Sequence, residues 1–414
     1  MIAAWIAAGL SVVALTQALA AALLVRRFGD RAAAARTGES DAAAKLEPVT
    51  VLKPLHGDEP LLEEALASVC RQHYPVWQVV FGVQDPADGA LPVVRRLRAR
   101  FPDCDIRVVV DPTPHGANRK VANLINMLPA AKHDVLVIAD SDVHVAPDYL
   151  RRLAAALQEP GTGLVTTLYS GLPRPPTPSR KGRGGSGAAV STPPPLWGGG
   201  RGAGPFRHPL PSILGAIQIN QYFLPGALLA RAMGRQDCLG ATMALRRETL
   251  ERIGGLPALV THLADDNMLG RLVQGMALKV RLADTVPATT VPETTFAALW
   301  RHELRWARTI RALVPAQFAA SVLQYPLASA VLTILLAWGA IWSLAWFAAA
   351  WALRALAARA TDRALGLAFR SPVWLLPLRE LMSVAVMIAS YASREVDWRG
   401  HTMQVPRVEP GGRL

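Results

Sequence analysis

Beyond residue 48 the apolar positions repeatedly change period. Short β-branched and aliphatic runs at residues 49–55, 76–83, 106–110 and 135–139 predict strands. Between them, apolar residues at helical spacing predict helices over 60–71, with Leu62, Leu66 and Val69 on one face, over 91–100 and over 120–128. Strands separated by helical patterns build βαβ units, so this half predicts an α/β fold with a mostly parallel, Rossmann-like sheet that binds a nucleotide. A helix opening at Pro147 and reaching residue 157, a strand over 163–170, a strand over 241–245 and a helix over 247–253 stopped by Gly254-Gly255 continue the series. Asp265-Asp266 opens a helix to residue 274, and a last helix covers 294–312.

Longer apolar stretches flank this region. Residues 2–25 can cross a bilayer, and Arg26, Arg27, Arg31 and Arg36 come directly after. The stretch lacks a basic start and a small-residue cleavage site, which predicts an uncleaved signal anchor, and the positive-inside rule places these arginines and the chain beyond them in the cytoplasm. Residues 31–47 read as a linker or short helix. Residues 213–233 are interrupted by Gln218, Asn220, Gln221 and Pro225, which predicts an interfacial segment rather than a span. Residues 327–353 and 373–392 can span, with Arg379-Glu380 inside the second expected to pair with each other or to face a site. If both span, the four arginines of 354–370 lie outside, against the positive-inside rule, unless one segment is interfacial or re-entrant. Residues 173–209 are dense in Pro, Gly, Arg and Ser and read as a disordered insertion, either a surface loop or a lid.

Composition points to membrane segments. Of 414 residues, 51% are hydrophobic and 18% charged, too apolar for an ordinary soluble domain and long enough for one catalytic domain plus a few spans. The three cysteines, Cys70, Cys104 and Cys238, have neither disulfide nor zinc spacing. The formal net charge of +13 lacks the basic, aromatic-interleaved block of a nucleic-acid binder and fits attraction to anionic lipid.

The candidate chemistry begins at Asp140-Ser141-Asp142, where a strand buried on both faces stops. Ligands of parallel sheets bind at the carboxyl ends of strands, and an Asp-x-Asp step offers hard oxygens for one Mg²⁺ or Mn²⁺ that also holds a diphosphate. A solvated turn is the competing reading, and Asp103-Cys104-Asp105, placed before a strand, repeats the pattern where no site is expected. Asp85 also comes after a strand. Asp265-Asp266 either serve chemistry or favour the helix dipole. On the helix over 294–312, His302, Arg305 and Trp306 share one face at i, i+3 and i+4, with Arg301, Arg308 and Arg311 adding charge. A basic helix lying on the membrane, anchored by Trp300 and Trp306, explains that helix equally well.

In this order the four signals resemble the D, D, D, (Q/R)xxRW signature of the inverting GT-A glycosyltransferases of family 2 and its relative, family 21, which contains the ceramide glucosyltransferases. The resemblance extends to Val51-Leu52-Lys53-Pro54-Leu55, Val83-Gln84-Asp85, Gly254-Gly255-Leu256 and the run from Gly116 through Asn118-Arg119-Lys120 to Leu124. It covers residues 49–312 apart from the insertion. Within family 21 the chain is most similar to bacterial hopanoid-biosynthesis glycosyltransferases, in Gln221-Tyr222-Phe223-Leu224-Pro225-Gly226, Leu263-Ala264-Asp265-Asp266 and His302-Glu303-Leu304-Arg305-Trp306-Ala307-Arg308. His302 stands where the wider signature has Gln or Arg, as in the bacterial subgroup.

The resemblance implies a GT-A catalytic domain over 49–312, a transmembrane anchor over 1–26, a membrane region over 313–400 with about two spans, and a tail over 401–414. It implies a multi-pass enzyme of the bacterial inner membrane whose catalytic domain is cytoplasmic. The implied reaction moves N-acetylglucosamine or glucose from a UDP-sugar to a lipid hydroxyl, on a hopanoid first and a sphingolipid next. Asp142 and Asp140 would hold Mg²⁺ or Mn²⁺, and Asp85 the uracil or ribose. Lys120 would join donor binding, Arg305 would cover the pyrophosphate, Trp306 would wall the acceptor and Asp266 would be the base, with His302 beside them. Alternatives are a polyprenyl-phosphate glycosyltransferase, a processive polysaccharide synthase and a membrane binding or transport protein.

Overall fold

Helix α1 (Ile2–Thr37) leads into the predicted alternation. Strand β1 (Val49–Pro54), α2 (Leu62–Cys70), β2 (Trp77–Val83), α3 (Ala90–Arg100), β3 (Asp105–Val110), α4 (Arg119–Met127) and β4 (Val135–Ala139) succeed one another in the expected order. A short β5 (Val143–His144), α5 (Tyr149–Gln158), β6 (Thr162–Thr166) and β7 (Ser170–Pro173) come next. The computed structural model describes residues 1–37, 46–175, 208–393, 395–398 and 401–404. Most of the predicted insertion, most of the 31–47 linker beyond the end of α1, and most of the tail therefore lie outside the described residues. Two compact units arise: Ala20–Ser170 with Phe223–Thr290 and Glu395–Leu414, and Met1–Leu19 with Gly171–Tyr222 and Val291–Arg394.

The first unit holds a seven-stranded sheet completed by β8 (Thr242–Arg246) and β9 (Lys279–Leu282), in the order β3-β2-β1-β4-β8-β6-β9. Strands β3, β2, β1 and β4 are parallel, β6 and β9 are parallel, and only β8 runs against both its neighbours. The apolar runs are strands because alternate residues feed two different cores. Val49, Val51, Val79, Phe81, Val135 and Val137 pack into one, while Leu52, Val80, Leu136 and Ile138 pack into the other. Helices α8 (Arg247–Arg252) and α9 (Asp265–Gly275) belong to this unit. The single strand expected over 163–170 is instead two. After β6 the chain leaves the large sheet, and β7 joins a three-stranded sheet, β5-β10-β7, with β10 (Ala288–Val291). β7 is Ser170-Gly171-Leu172-Pro173, with no β-branched run to mark it in the sequence, and only Ser170 of the expected stretch belongs to it. At the change point the Thr166 hydroxyl donates to the carbonyls of Leu239 (2.8 Å) and Thr242 (3.0 Å).

The second unit is largely helical, with α6 (Leu210–Gln218), α10 (Phe296–Leu313), α11 (Pro315–Ala320), α12 (Pro326–Leu336), α13 (Ile341–Ala364) and α14 (Leu376–Ser390). Leu15, Leu214, Ile217, Leu327 and Leu376 form its core. Among the described residues four helices are long and apolar enough to cross a membrane: Ile2–Ala35, Leu210–Ala232, Ile341–Ala364 and Val373–Ser390. A fifth candidate, Pro315–Gln324 with Pro326–Leu336, bends by 69° and is a broken span or a re-entrant loop.

Three membrane expectations change. First, residues 213–233 are not broken: α6 continues through a π-helical turn, Ile219–Phe223, into α7 (Leu224–Ala232). The polar residues that looked like interruptions are buried with partners. Asn220 exchanges hydrogen bonds with the backbone of Gly171 (2.7 and 3.1 Å), and Gln221 donates to Asp362 (2.7 Å) and Ser371 (2.9 Å). Pro225 sits in the first turn of α7, where its missing N–H costs nothing. Second, 327–353 is not one helix. Trp338 and Gly339 adopt left-handed φ values of 54° and 72°, which ends α12 before α13 begins.

Third, Arg379 and Glu380 do not pair with each other, because consecutive helical residues point apart. Arg379 is fully buried and forks onto Glu303 at 2.6 and 2.7 Å. Glu380 accepts from Tyr222 (3.0 Å) and from the Leu327 N–H (2.6 Å), with Arg354 at 3.6 Å. Arg354, expected in an arginine-rich outer loop, is thus an internal ion-pair partner on α13.

Candidate active site

The turn after β4 is fixed from beneath by a buried cation. Lys53, near the end of β1, is wholly buried and donates to the carbonyls of Asp140 (2.8 Å) and Val143 (3.3 Å). Burial lowers this lysine to about 8 against the pull of Asp142 and Asp140. The Asp140-Ser141-Asp142 turn is therefore anchored, not a loose solvated loop. Ser141 donates to Glu59 at 2.5 Å, and the Thr289 hydroxyl donates to Asp142. Burial, then the neighbouring Asp140 charge, push the Asp142 carboxyl up to about 6. In the sequence Lys53 shows as a lone charge in an otherwise apolar strand, within the run 51–55 that carries part of the family resemblance.

Lys120 gathers the other carboxylates. Asn118 accepts from the Val121 N–H (3.1 Å) and so caps α4, while its amide donates to the His262 carbonyl (2.8 Å) and to Asp265 (3.4 Å). That cap sets the first turn of α4, from which the Lys120 ammonium lies 2.7 Å from Asp140 and 3.6 Å from Asp265. Burial by itself would lower Lys120, but Asp140 and Asp265 reverse the effect and hold it well above the ordinary lysine range.

Asp266, in the first turn of α9, accepts from the Asn267 N–H at 2.8 Å. Burial, then the adjacent Asp265, raise it to about 6, with Lys120 opposing. Gly240 lies against it, where a Cβ would come within 2.9 Å of Oδ2, so a larger residue there would displace this carboxylate. Tyr169 was not anticipated from sequence. Burial, then Asp266, Asp140 and Asp142, drive its phenol far above the ordinary range, and its ring packs on Phe223 at 4.6 Å between centroids.

Asp85 is exposed at the carboxyl end of β2 and accepts from the Ala87 N–H (2.8 Å). The buried carboxylate nearby is Asp88, which accepts from the N–H groups of Gly57 (2.9 Å) and Ala90 (2.8 Å) and so ties two loops together. The second Asp-x-Asp, Asp103-Cys104-Asp105, precedes β3, at the opposite end of the parallel strands, and Asp105 is paired with Lys132 at 2.6 Å. The three cysteines are free thiols.

In the other unit, α10 carries His302, Arg305 and Trp306. Nδ1 of His302 hydrogen-bonds Glu293, and its ring meets Trp306 edge-on at 4.5 Å between centroids. Glu293 is buried, and nothing in the sequence pointed to it. Its other oxygen has no hydrogen-bond partner among the described residues. The Arg305 carbonyl accepts from Thr309 (3.0 Å). Asp140, Asp142, Lys120, Asp265 and Asp266 are thus brought together within one unit, while His302, Arg305 and Trp306 belong to the second.

Among the described residues no group of three or more His, Cys, Asp or Glu side chains is arranged to hold a metal ion alone. Two hard carboxylates, one of them raised by burial and by the other's charge, suit an ion whose remaining ligands are phosphate oxygens and water, the usual manner of Mg²⁺.

Among solved structures the chain aligns with the mannosyltransferase PcManGT from Pyrobaculum calidifontis, at 20% identity and TM-score 0.48, over 92% of this chain and 99% of that one. Staphylococcus aureus TarS residues 1–349 align at 14% identity and TM-score 0.35, over 88% of this chain and 98% of that one. Both likenesses are remote. Ceramide glucosyltransferase of Candida albicans is 31% identical over 131 residues, 29% of this chain and 24% of that protein. Ceramide glucosyltransferase 1 of Caenorhabditis elegans is 21% identical over 286 residues, 68% and 54% respectively. The chain thus matches only about a quarter to a half of these relatives' own length. The model of glycosyl transferase family 21, by contrast, matches residues 6–179 and 203–413, nearly the whole chain. An α/β domain with a mostly parallel sheet, carboxylates at the carboxyl ends of its parallel strands and apolar helices toward both ends of the chain accords with that match: the chain is a glycosyltransferase of family 21.

Proposed function

We propose that the protein is a membrane-bound inverting transferase that moves one hexose, N-acetylglucosamine or glucose, from a UDP-sugar to a lipid hydroxyl. The acceptor is a polyhydroxylated hopanoid first and ceramide second. One observation carries the reading: a divalent-ion type of carboxylate pair, Asp140 and Asp142, shares a unit with a further, partly buried carboxylate, Asp266, raised to about 6. The lipid acceptor is supported by the relatives named as ceramide glucosyltransferases. The hopanoid preference rests on the likeness in residues 221–226, 263–266 and 302–308.

In this reading Asp85 holds the uracil or ribose. Asp140 and Asp142 hold Mg²⁺ or Mn²⁺, which when bound neutralises charge on the diphosphate. Lys120 keeps Asp140 and Asp265 oriented and adds positive charge to the donor site. Arg305 covers the pyrophosphate, Trp306 walls the acceptor, and His302 stands beside Trp306 on the same helix. Asp266 accepts the proton of the acceptor hydroxyl as that oxygen attacks the anomeric carbon and the bond to UDP breaks. One displacement assisted by one base inverts the anomeric centre, so an α-linked donor gives a β-linked product. A value near 6 leaves Asp266 ionised at neutral pH and a stronger base than an ordinary aspartate.

In the same reading the catalytic residues occupy 49–312, membrane segments stand on either side, and the catalytic domain faces the cytoplasm of a bacterial inner membrane. The test is mass spectrometry of lipids from cells with and without the gene, scoring hopanoid and ceramide glycosides together, joined to a UDP-release assay with and without EDTA. One added sugar per lipid and metal-dependent UDP release are expected. Polymeric product would point to a processive synthase, and UDP release indifferent to lipid would end the reading.

A further inference from the structure

Glu293 is a buried acid in an exposed connection. Between β10 and α10 the chain is exposed at Pro292 and again over residues 294–297, and Glu293 alone turns inward, 9% exposed. Both ends of the connection are fixed. Ser212 donates to the Val291 carbonyl at 2.6 Å, and Thr295 caps α10 by accepting from the Ala298 N–H at 3.2 Å. Glu293 is thereby held against α10, where one carboxyl oxygen meets Nδ1 of His302. Its other oxygen is buried without a hydrogen-bond partner among the described residues. A bare buried oxygen costs stability, and packing by itself would favour an apolar side chain of that size. The carboxylate therefore serves His302 rather than the fold.

We infer that Glu293 is a positioning residue that holds His302 in the Nδ1–H tautomer, so that Nε2 accepts a hydrogen bond from a hydroxyl of the sugar acceptor, an inference that rests on the proposed function. A carboxylate only accepts, so the shared hydrogen sits on Nδ1 and the lone pair is left on Nε2. Among the described residues Nε2 makes no hydrogen bond, and with the side chain 28% exposed that lone pair stays accessible. The ring is fixed further by its edge-on contact with Trp306, one turn along the same face. Carboxylates fix the tautomer and direction of functional histidines in this way elsewhere.

The ligand follows from the sense of the hydrogen bond. Phosphate oxygens only accept and find no donor at Nε2 of this tautomer, while an alcohol donates to it. Arg, which the wider signature allows at this position, has donors only. With Glu293 behind it, His302 thus reads a hydroxyl where an arginine would meet an anion.

The test compares Glu293→Gln, His302→Gln and the double variant in the full chain, with a polyhydroxylated hopanoid or ceramide as acceptor, whichever takes sugar. Glutamine at 293 keeps the size and a hydrogen bond but serves either tautomer. Its kcat/KM for the acceptor should fall about tenfold, with UDP affinity, read by calorimetry in Mg²⁺, within about twofold of wild type and the Tm not lowered. His302→Gln should lose about as much, and because Glu293 acts through His302 the double variant should match His302→Gln within about twofold. A Glu293→Gln that lowers the Tm and adds its full loss in both backgrounds is merely structural, which overturns the inference. A loss that falls on UDP affinity overturns the hydroxyl assignment.

A second readout does not need sugar transfer. Diethyl pyrocarbonate takes the free lone pair of an imidazole, so carbethoxylation of His302 at about pH 7, mapped by peptide mass spectrometry, should slow at least about twofold in Glu293→Gln as the Nε2–H tautomer appears. An unchanged rate overturns the inference even where transfer falls. If neither lipid takes sugar while this contrast persists, the functional reading fails and the tautomer assignment stands.

Discussion

Lys120 stands between two carboxylates supplied by distant parts of the chain, 2.7 Å from Asp140 after β4 and 3.6 Å from Asp265 at the start of α9. It is the link between the turn assigned to the donor and the helix that carries the proposed base. Lys120→Met removes that cation while keeping the length of the side chain. UDP-sugar affinity should weaken by at least about tenfold, read by calorimetry, as expected when a hydrogen-bonded charge loses its partner. Lys120→Arg should recover part of the loss. Unchanged affinity in Lys120→Met would remove Lys120 from the donor site.

Asp266→Asn keeps the shape of the side chain and removes its basicity. Protein amount and UDP-sugar binding should stay near wild type while lipid glycosylation falls at least about a hundredfold, the usual worth of a general base. Retained transfer would reassign the base.

The raised Asp266 carboxyl predicts opposite pH trends for activity and stability. The base works ionised, so kcat/KM should be level above pH 6 and fall about tenfold per unit below it. Stability has the reverse sign: a carboxyl raised from 3.8 to about 6 favours the folded state when protonated. That contribution is complete below 3.8 and is lost as pH rises through about 6. Asp266→Asn should therefore raise the Tm at neutral pH relative to wild type and lose that advantage below pH 3.8. Equal Tm differences at both pH values would contradict the assignment of burial as the cause.

The Arg379–Glu303 fork is fully enclosed, with Arg379 wholly buried. Removing one partner leaves a buried charge, so Arg379→Met or Glu303→Leu alone should destabilise by about 3–5 kcal/mol, while the pair of substitutions together should cost much less. Thermal unfolding of the detergent-solubilised protein measures the cycle. Additive losses would show that the two charges do not depend on each other.

Much of the fold was legible because burial on both faces of a sheet demands continuous β-branched runs, and the runs ending at Pro54, Val83 and Ala139 became the strands that carry Lys53, Asp85 and Asp140. Motif spacing likewise nominated Asp140, Asp142, Asp266 and Arg305 as candidates. Spacing along a chain carries no information about depth, however. Whether Asp-Ser-Asp was a solvated turn or an anchored one depended on Lys53 lying beneath it, and Asp266 acquired its raised carboxyl only from burial and the charge beside it.

The membrane half shows the same limit more sharply. Gln221, Arg354, Arg379 and Glu380 looked like interruptions or outer-loop charges, because hydropathy scores a polar residue by itself, without the partner that satisfies it. Sequence by itself determined the alternation of strands and helices, the apolar segments and the order of the family's signature. Tertiary structure alone decided which charges meet, since Lys120 with Asp140 and Asp265, His302 with Glu293, and Arg379 with Glu303 are pairings that no periodicity encodes.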